Sequence, residues 1–524
     1  MKRLIILGSA VTLLGSVARP TGANDDLRLI EAVRTDDIAA VTRLLATDIP
    51  IDTPQPDGAT ALHWAVYRNA PVMVEQLITA GADVNAANSQ DVLPLTLAIL
   101  NRSPAMVTAL LNAGADPNRG KETPMMTAAH SGHQEIVTLL LAHGGNANAS
   151  ETLRGQTALM WAAAEGHSDV VKLLINAGAN VQSRTSDPPP DPNARMRPRR
   201  PSKFANPKSS LAANQFTALL FAVRNGNMNS VKYLLQAGAD VNTASADGMS
   251  PLVLATVRGW PSVAHMLLEH GANPNAASSG YTALHWAAGS WETELTTASI
   301  TPAGTNEWTR VAGLTDGKLD LVRALLAHGA DPNARIQQTP SRVGSSKNPP
   351  LAELEGASPF LLAALAGESE VMRLLAEHGA DLGLMTTSNG TPLMAAAGLG
   401  RVMGEVSVPD SHVLEATKVL VELEALGDVD AVDSLGNTAL HYAAYFKRTG
   451  IVQLLAEHGA NLNLPNKYGE TPLWLSEAVI QYAGGGIYAI SQTVTGDLLR
   501  QLGAHAQHPN YTLRPMFWPD IPHI

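Results

Sequence analysis

Residues 60–85, TALHWAVYRNAPVMVEQLITAGADVN, place His63, Arg68, Glu75 and Asp83 within 26 residues. An imidazole beside two carboxylates and a guanidinium is the raw material of general acid–base chemistry, with His63 as the proton carrier. His130-Ser-Gly-His133 and His505-Ala-Gln-His508 each bring two imidazoles together, as a metal site would, but neither has a third ligand at a recognisable spacing. The three glycines at 484–486 lack the lysine and the preceding strand of a phosphate-binding loop. Neither G-x-S-x-G nor H-E-x-x-H occurs. Since a catalytic constellation is built once, the decisive test is whether the letters of 60–85 return elsewhere.

They return at a fixed interval. Gly81 to Gly114 is 33 residues, and Gly238 to Gly271 is 33 again, a period that marks a repeat architecture. The recurring pattern is T-[AP]-L-[HMVL]-x-A-[AV], a variable pair, a turn, an amphipathic stretch and then G-A-[DN]-x-N. It reads TALHWAV from Thr60, TALMWAAAEGHSDVVKLLINAGAN from Thr157, TALHWAA from Thr282, TPLMAAA from Thr391 and TALHYAA from Thr438. In eight units 12 residues separate the position after the variable pair from the closing Gly, a regularity that belongs to architecture.

Elementary rules explain the letters. Thr60 stands where a helix N-cap accepts an orphan backbone N–H, and Pro124, Pro359 and Pro392 fit the first helical turn, where no donor is needed. Leu62 and Ala65 share one side of a short helix, the small Ala letting a second helix lie close. That second helix carries Val170, Val171, Leu173, Leu174 and Ile175 as an apolar stripe, leaves Asp169, Lys172 and Asn176 to solvent, and closes at Gly178 in the left-handed conformation.

The pattern resembles the ankyrin repeat, over about twelve units that cover most of residues 25–504. The resemblance implies an all-α repeat solenoid of stacked helix-turn-helix units with short β-hairpin tips, and another protein as the partner. It implies that His63, His285 and His441, at one repeat position, are bonded into the neighbouring hairpin. His143, His270, His328, His378 and His458 precede the closing Gly, where a cation favours a helix C-terminus. The acids Asp83, Asp116, Asp240, Asp331 and Asp381 recur once per unit in the turn. These residues read as structural, so no catalytic, cofactor or metal site is expected.

Composition agrees with many short helices. Aromatics make up 4% of the 524 residues, so the core must come from Ala, Leu, Val and Ile. With no cysteine in the chain there is no disulfide framework, thiolate nucleophile or thiolate metal site. At the N-terminus, Lys2 and Arg3 precede an apolar run from Leu4 to Val17 and then small residues, the pattern of a secretory signal peptide. Fourteen residues are too few to span a bilayer, so cleavage after Ala23 and a periplasmic or secreted location are expected, with no transmembrane segment in the mature chain. Losing Lys2, Arg3 and Arg19 moves the formal charge from -11 to -14, which disfavours a nucleic-acid partner.

Departures from the repeat are where binding residues are sought. Insertions fall at 183–214, 292–317, 334–356, 401–410 and 483–496, with 505–524 as a tail. The first contains DPPPDPNARMRPRRPSKF, and its Arg195, Arg197, Arg199 and Arg200 suit an acidic partner. The second is flanked and occupied by Trp291 and Trp308, candidate interface anchors. The variable pairs, which the resemblance places toward a concave face, supply Tyr67, Arg68, His130, Arg224, Arg258, Tyr445 and Phe446. The reading is a monomeric, non-enzymatic interaction scaffold with capping units at 25–56 and 467–504. Its alternatives are an accessory subunit that matures or protects an exported enzyme, and a secreted effector acting on foreign cells.

Overall fold

The computed structural model describes residues 27–186, 215–278, 280–289, 317–337, 354–399, 408–480, 487–490 and 493–505. Residues 1–23, expected to be a signal peptide, lie outside the described residues, as do Arg195, Arg197, Arg199, Arg200, Trp291 and Trp308. The chain divides into two compact units, the first ending at Ala246 and the second beginning in the repeats at Asp247. In each, six helix pairs are described.

In the first unit the leading helices are Arg28–Arg34, Ala61–Tyr67, Pro94–Leu100, Pro124–Ser131, Ala158–Glu165 and Ala218–Arg224. Each is followed by an antiparallel partner: Ile38–Leu45, Pro71–Thr79, Pro104–Asn112, Gln134–Ala142, Ser168–Asn176 and Met228–Gln236. The threonine rule holds in detail, since the hydroxyls of Thr123, Thr157 and Thr217 accept from the N–H groups of Met126, Met160 and Leu220. At Gly178 φ is +81° and nothing lies within 4 Å of where a Cβ would sit. Glycine is needed there for its backbone conformation alone.

Packing corrects the apolar stripe. Val170, Val171 and Leu174 are buried, whereas Leu173 and Ile175 are half-buried. At about 100° per residue the first three share one direction and the other two flank it, so five consecutive apolar letters over-count the buried face.

The second unit repeats the scheme. Its leading helices are Pro251–Val257, Ala283–Ala288, Pro359–Ala366, Pro392–Ala397, Ala439–Tyr445 and Pro472–Glu477. Their partners are Pro261–Glu269, Lys318–Ala327, Ser369–Glu377, Asp410–Glu422, Thr449–Glu457 and Val494–Gln501. In the last repeat a two-stranded antiparallel sheet, Ala478–Ile480 with Ile487–Ile490, separates the two helices.

The tips between repeats are hairpins reduced to their closing bonds, such as Gln55 N–H to Ala59 O (2.9 Å) and Asn88 N–H to Val92 O (3.1 Å). Adjacent tips are joined by one backbone bond, as when Ser89 N–H donates to Asp57 O at 2.8 Å. The insertion at 183–214 enters at such a tip, because Thr185 N–H donates to Phe216 O and Gln215 N–H to Thr185 O, each at 3.0 Å. The insertion at 334–356 does the same, through Ile336 N–H to Ala357 O (3.0 Å) and Gly356 N–H to Ile336 O (2.8 Å). No described helix is long and apolar enough to cross a membrane.

Candidate interaction surface

The residues that suggested acid–base chemistry are built into the repeat junctions. His63 Nδ1 accepts the Thr60 N–H at 3.1 Å while Nε2 donates to Val92 O, at 3.1 Å, in the next tip. His285 and His441 do likewise, accepting from Thr282 (3.0 Å) and Thr438 (3.1 Å) and donating to Ala334 O (3.0 Å) and Glu470 O (3.2 Å). One acceptor and one donor nitrogen define the neutral tautomer. Burial pushes the pKa of all three down, to about 4 for His285 and His441. These imidazoles are therefore uncharged hydrogen-bonding links. The bonding into the neighbouring hairpin that the resemblance implied for these histidines is present. At the helix ends, His143, His270, His328, His378 and His458 each turn Nδ1 onto the carbonyl four residues earlier, at 2.8–2.9 Å.

The recurring acids have partners that spacing alone did not disclose. Asp83 Oδ1 accepts the Asn85 N–H at 2.8 Å, so the carboxylate shapes its own turn. Asn85 then crosses to the next repeat, donating from Nδ2 to Gly114 O (2.9 Å) and accepting the Asp116 N–H at Oδ1 (2.8 Å). Asn118 and Asn148 continue the ladder in the first unit, and Asn275 and Asn333 build it in the second. The signal was present in G-A-[DN]-x-N, where the last Asn carries both a donor and an acceptor. Among the described residues, no three His, Cys, Asp or Glu side chains converge as a metal site would require.

What remains is a set of clusters of aromatic rings with arginine or histidine near the ends of leading helices in the first unit. Tyr67 packs edge-on against Trp64 at 5.8 Å, and the Arg34 guanidinium lies 5.0 Å from the Trp64 ring. Arg68, at the helix end, is exposed. His130 stacks on Trp161 at 4.7 Å with Nε2 3.6 Å from Glu165 Oε1, while His167 Nε2 donates to the His130 carbonyl at 3.1 Å. His167 also fills the space over Gly132, where any Cβ would lie 2.6 Å from the imidazole. Arg224 stands 5.8 Å from the Phe216 ring and 5.1 Å from that of Phe221. The rings Trp64, Trp161 and Phe221 all stand four residues after a capping Thr, so one repeat position supplies the platform and the variable pair supplies what lies on it.

In the second unit Arg258 is half-buried. Tyr445 is only 7% exposed, packed edge-on against Phe446 at 5.0 Å, and so contributes core rather than partner-facing surface. Phe446 packs against Gly398, where a Cβ would come within 2.4 Å of its ring, and Arg448 donates to Ala396 O at 2.7 Å. These two side chains join consecutive repeats. A variable position can thus serve either a partner or the next repeat, and only packing separates the two.

The family described as "Ankyrin repeats (3 copies)" matches residues 29–121, 119–185, 219–295 and 311–403, and "Ankyrin repeats (many copies)" matches 420–475. Human "Ankyrin repeat and SOCS box protein 16" is 28% identical over 263 residues, 47% of this chain and 51% of that protein. The "E3 ubiquitin-protein ligase KEG" of Arabidopsis thaliana is 25% identical over 291 residues, 50% of this chain and 16% of that protein. The chain therefore spans about half, or much less, of the length of these relatives. The human ASB11 ankyrin repeat domain, a solved structure, is 25% identical, with 47% of this chain and 98% of that domain covered and a TM-score of 0.37. With its repeats matched along most of its length, the chain belongs to the ankyrin-repeat family.

Proposed function

We propose that this protein is an exported, monomeric, non-catalytic scaffold that binds another protein through the first unit's clusters of aromatic rings with arginine or histidine. The observation that carries the reading is the recurrence of these clusters: Arg34, Trp64 and Tyr67, then His130 and Trp161, then Arg224, Phe216 and Phe221. Tyr67 and Trp161 are the half-buried rings of these clusters, set against the core rings Trp64, Phe216 and Phe221, and so combine contact area with little side-chain freedom to lose, the property of interface anchors. The histidines and acids that could have served chemistry are occupied by the repeat junctions, which favours binding over catalysis. Family membership supports a protein as the partner, and the formal charge of -11 disfavours a nucleic acid. Export rests on the sequence of residues 1–23.

The test begins with capture of a stoichiometric partner from native extract on the full mature chain. Binding kinetics are then compared for Tyr67→Ala and Trp161→Ala. Both variants should dissociate at least about tenfold faster while the circular dichroism spectrum stays unchanged. Neutralising Arg195, Arg197, Arg199 and Arg200 should instead slow association and flatten its salt dependence. Wild-type kinetics in both sets would remove the first unit from the binding surface.

A further inference from the structure

Each repeat of the first unit passes from its leading to its trailing helix through one residue in the left-handed backbone region. These residues are Asp36, Asn69, Arg102, Gly132, Gly166 and Gly226, with φ between +55° and +79°. Glycine adopts this conformation without a steric cost, and Asp or Asn offsets the cost with a short polar side chain that bonds locally. Arg102, at φ +56°, has neither advantage. Its side chain is exposed, so burial does not compensate.

The following repeats show what the arginine displaces. His133, His167 and Asn227 each cap a trailing helix, facing the turn of the repeat before. His167 lies over Gly132, where a Cβ would come within 2.6 Å of the ring, and its Nε2 donates to His130 O at 3.1 Å. Asn227 lies over Gly166, where a Cβ would come within 2.7 Å, and its Nδ2 donates to Ala163 O at 3.0 Å. His133 is the counterpart at Arg102, where a Cβ is present. Its Nε2 is buried with no hydrogen-bond partner among the described residues, and burial and the Arg102 charge both push its pKa down. Arginine at this turn thus brings a strained backbone and an unmade bond between repeats.

What the position gains is a place beside Arg68. Asn101 Nδ2 donates to Val66 O at 2.6 Å and to Tyr67 O at 3.4 Å, which ties the Arg102 turn to the helix end that carries Tyr67 and Arg68. Arg68 and Arg102 are both exposed, and neither has an ion pair among the described residues. Residues 60–74 and 92–113 contain no acid, and Val72, 51% exposed, stands in the first turn of Pro71–Thr79. On a chain of formal charge -11 this is a local reversal of sign.

We infer that Arg102 is a partner-contact residue, kept in an unfavourable turn because, with Arg68, it binds carboxylates on an acidic segment of another protein. The inference rests on the reading of the first unit as a protein-binding surface, and adds to it a residue outside the variable pairs and the chemistry of the partner. A guanidinium holds a carboxylate through two parallel N–H bonds, which a glycine at this turn cannot supply. Tyr67 and Val72 give the same segment apolar contact.

The full mature chain and its Arg102→Gly and Arg102→Lys variants test the two halves of the inference separately. Arg102→Gly should relax the turn and free His133 to reach its neighbour, so amide exchange in Gln134–Ala142 should slow by about three- to fivefold. Exchange at the wild-type rate or faster would show that the arginine carries no structural cost and would overturn the inference. Binding is read by fluorescence anisotropy with labelled decaglutamate at low ionic strength. Wild type should bind it, Arg102→Gly at least about fivefold more weakly, and Arg102→Lys in between. Equal affinity of wild type and Arg102→Gly, or of wild type for decaglutamate and for inorganic polyphosphate of matched charge, would refute carboxylate recognition. With a partner captured on the wild-type chain, Tyr67→Ala and Trp161→Ala test the binding surface itself. Faster dissociation of those two variants with wild-type kinetics for Arg102→Gly would remove Arg102 and leave the surface, whereas wild-type kinetics in all three would remove the surface.

Discussion

His285 and His441 hold their neutral form in the fold, with a pKa pushed by burial to about 4 against an ordinary 6.5. The unfolded chain takes up the proton first as pH falls. The stability each contributes is therefore complete above about pH 6.5 and is lost as pH falls toward 4, to the extent of about 3 kcal/mol per group. His63 shifts in the same direction and adds to the same window. Urea unfolding midpoints should fall steeply from pH 7 to pH 4.5, and the deficit of His441→Ala relative to wild type should shrink over that range. Parallel pH profiles for the two proteins would contradict the neutral-link assignment. At the same scale, Leu174→Ala should cost roughly 2–5 kcal/mol, because the side chain is fully buried between repeats. Leu173→Ala, half-buried, should cost roughly 1 kcal/mol, and denaturation of the two variants measures the difference.

Between repeats the Asn ladder supplies polar continuity, and its interruption identifies a weaker junction. Asp381 Oδ1 accepts the Gly383 N–H at 3.0 Å, but Gly383 has no side chain to reach the following turn. That turn is two residues longer, through Leu426 and Gly427, before Asp428 resumes the pattern. On the outer helices of this junction, Arg373 instead pairs with Glu422 at 2.8 Å and Glu415 at 3.6 Å. All three side chains are substantially exposed, so the pairs are worth at most about 1 kcal/mol and are screened by salt. Salt near 1 M should accelerate amide exchange in Asp410–Glu422 and leave the junction around Asn148 as it was. Asn148→Ala should cost about 1–3 kcal/mol through loss of the Gly178 and Asn180 bonds. Equal salt sensitivity at both junctions would sink this distinction.

For the whole molecule, the expected export, cleavage and partner binding form one testable chain of events. A fusion of residues 1–30 to a reporter active only outside the cytoplasm should score positive, and the mature protein should begin near Asn24. Recovery of intact Met1 from cytosolic protein would refute export while leaving the binding test standing. The array's energetics are those of a repeat protein, in which each unit buries its face against its neighbours. Unfolding of either unit should accordingly begin at its weakest junction rather than at one nucleus.

The period, the Thr and Pro positions and the closing glycines were legible in the letters, because helix capping, left-handed turns and apolar spacing act over a few residues, whereas the role of the junction histidines was implied by the ankyrin resemblance. The break in the period marked 183–214 and 334–356, and described residues at both of these pair as a tip. Exposure at a chosen position was not legible. Tyr67 and Tyr445 end comparable helices, yet one lies half-buried against Trp64 and the other is sealed in the core beside Phe446. Leu173 and Leu174 are the same residue type, yet only Leu174 lies wholly within the packed face. The acids of the turn looked partnerless because their role passes through an Asn two residues on to a carbonyl about 30 residues away. Local backbone chemistry therefore determined the repeat, whereas the division between side chains that join repeats and those left for a partner depended on the neighbouring repeat, which only the stacked structure brings into contact.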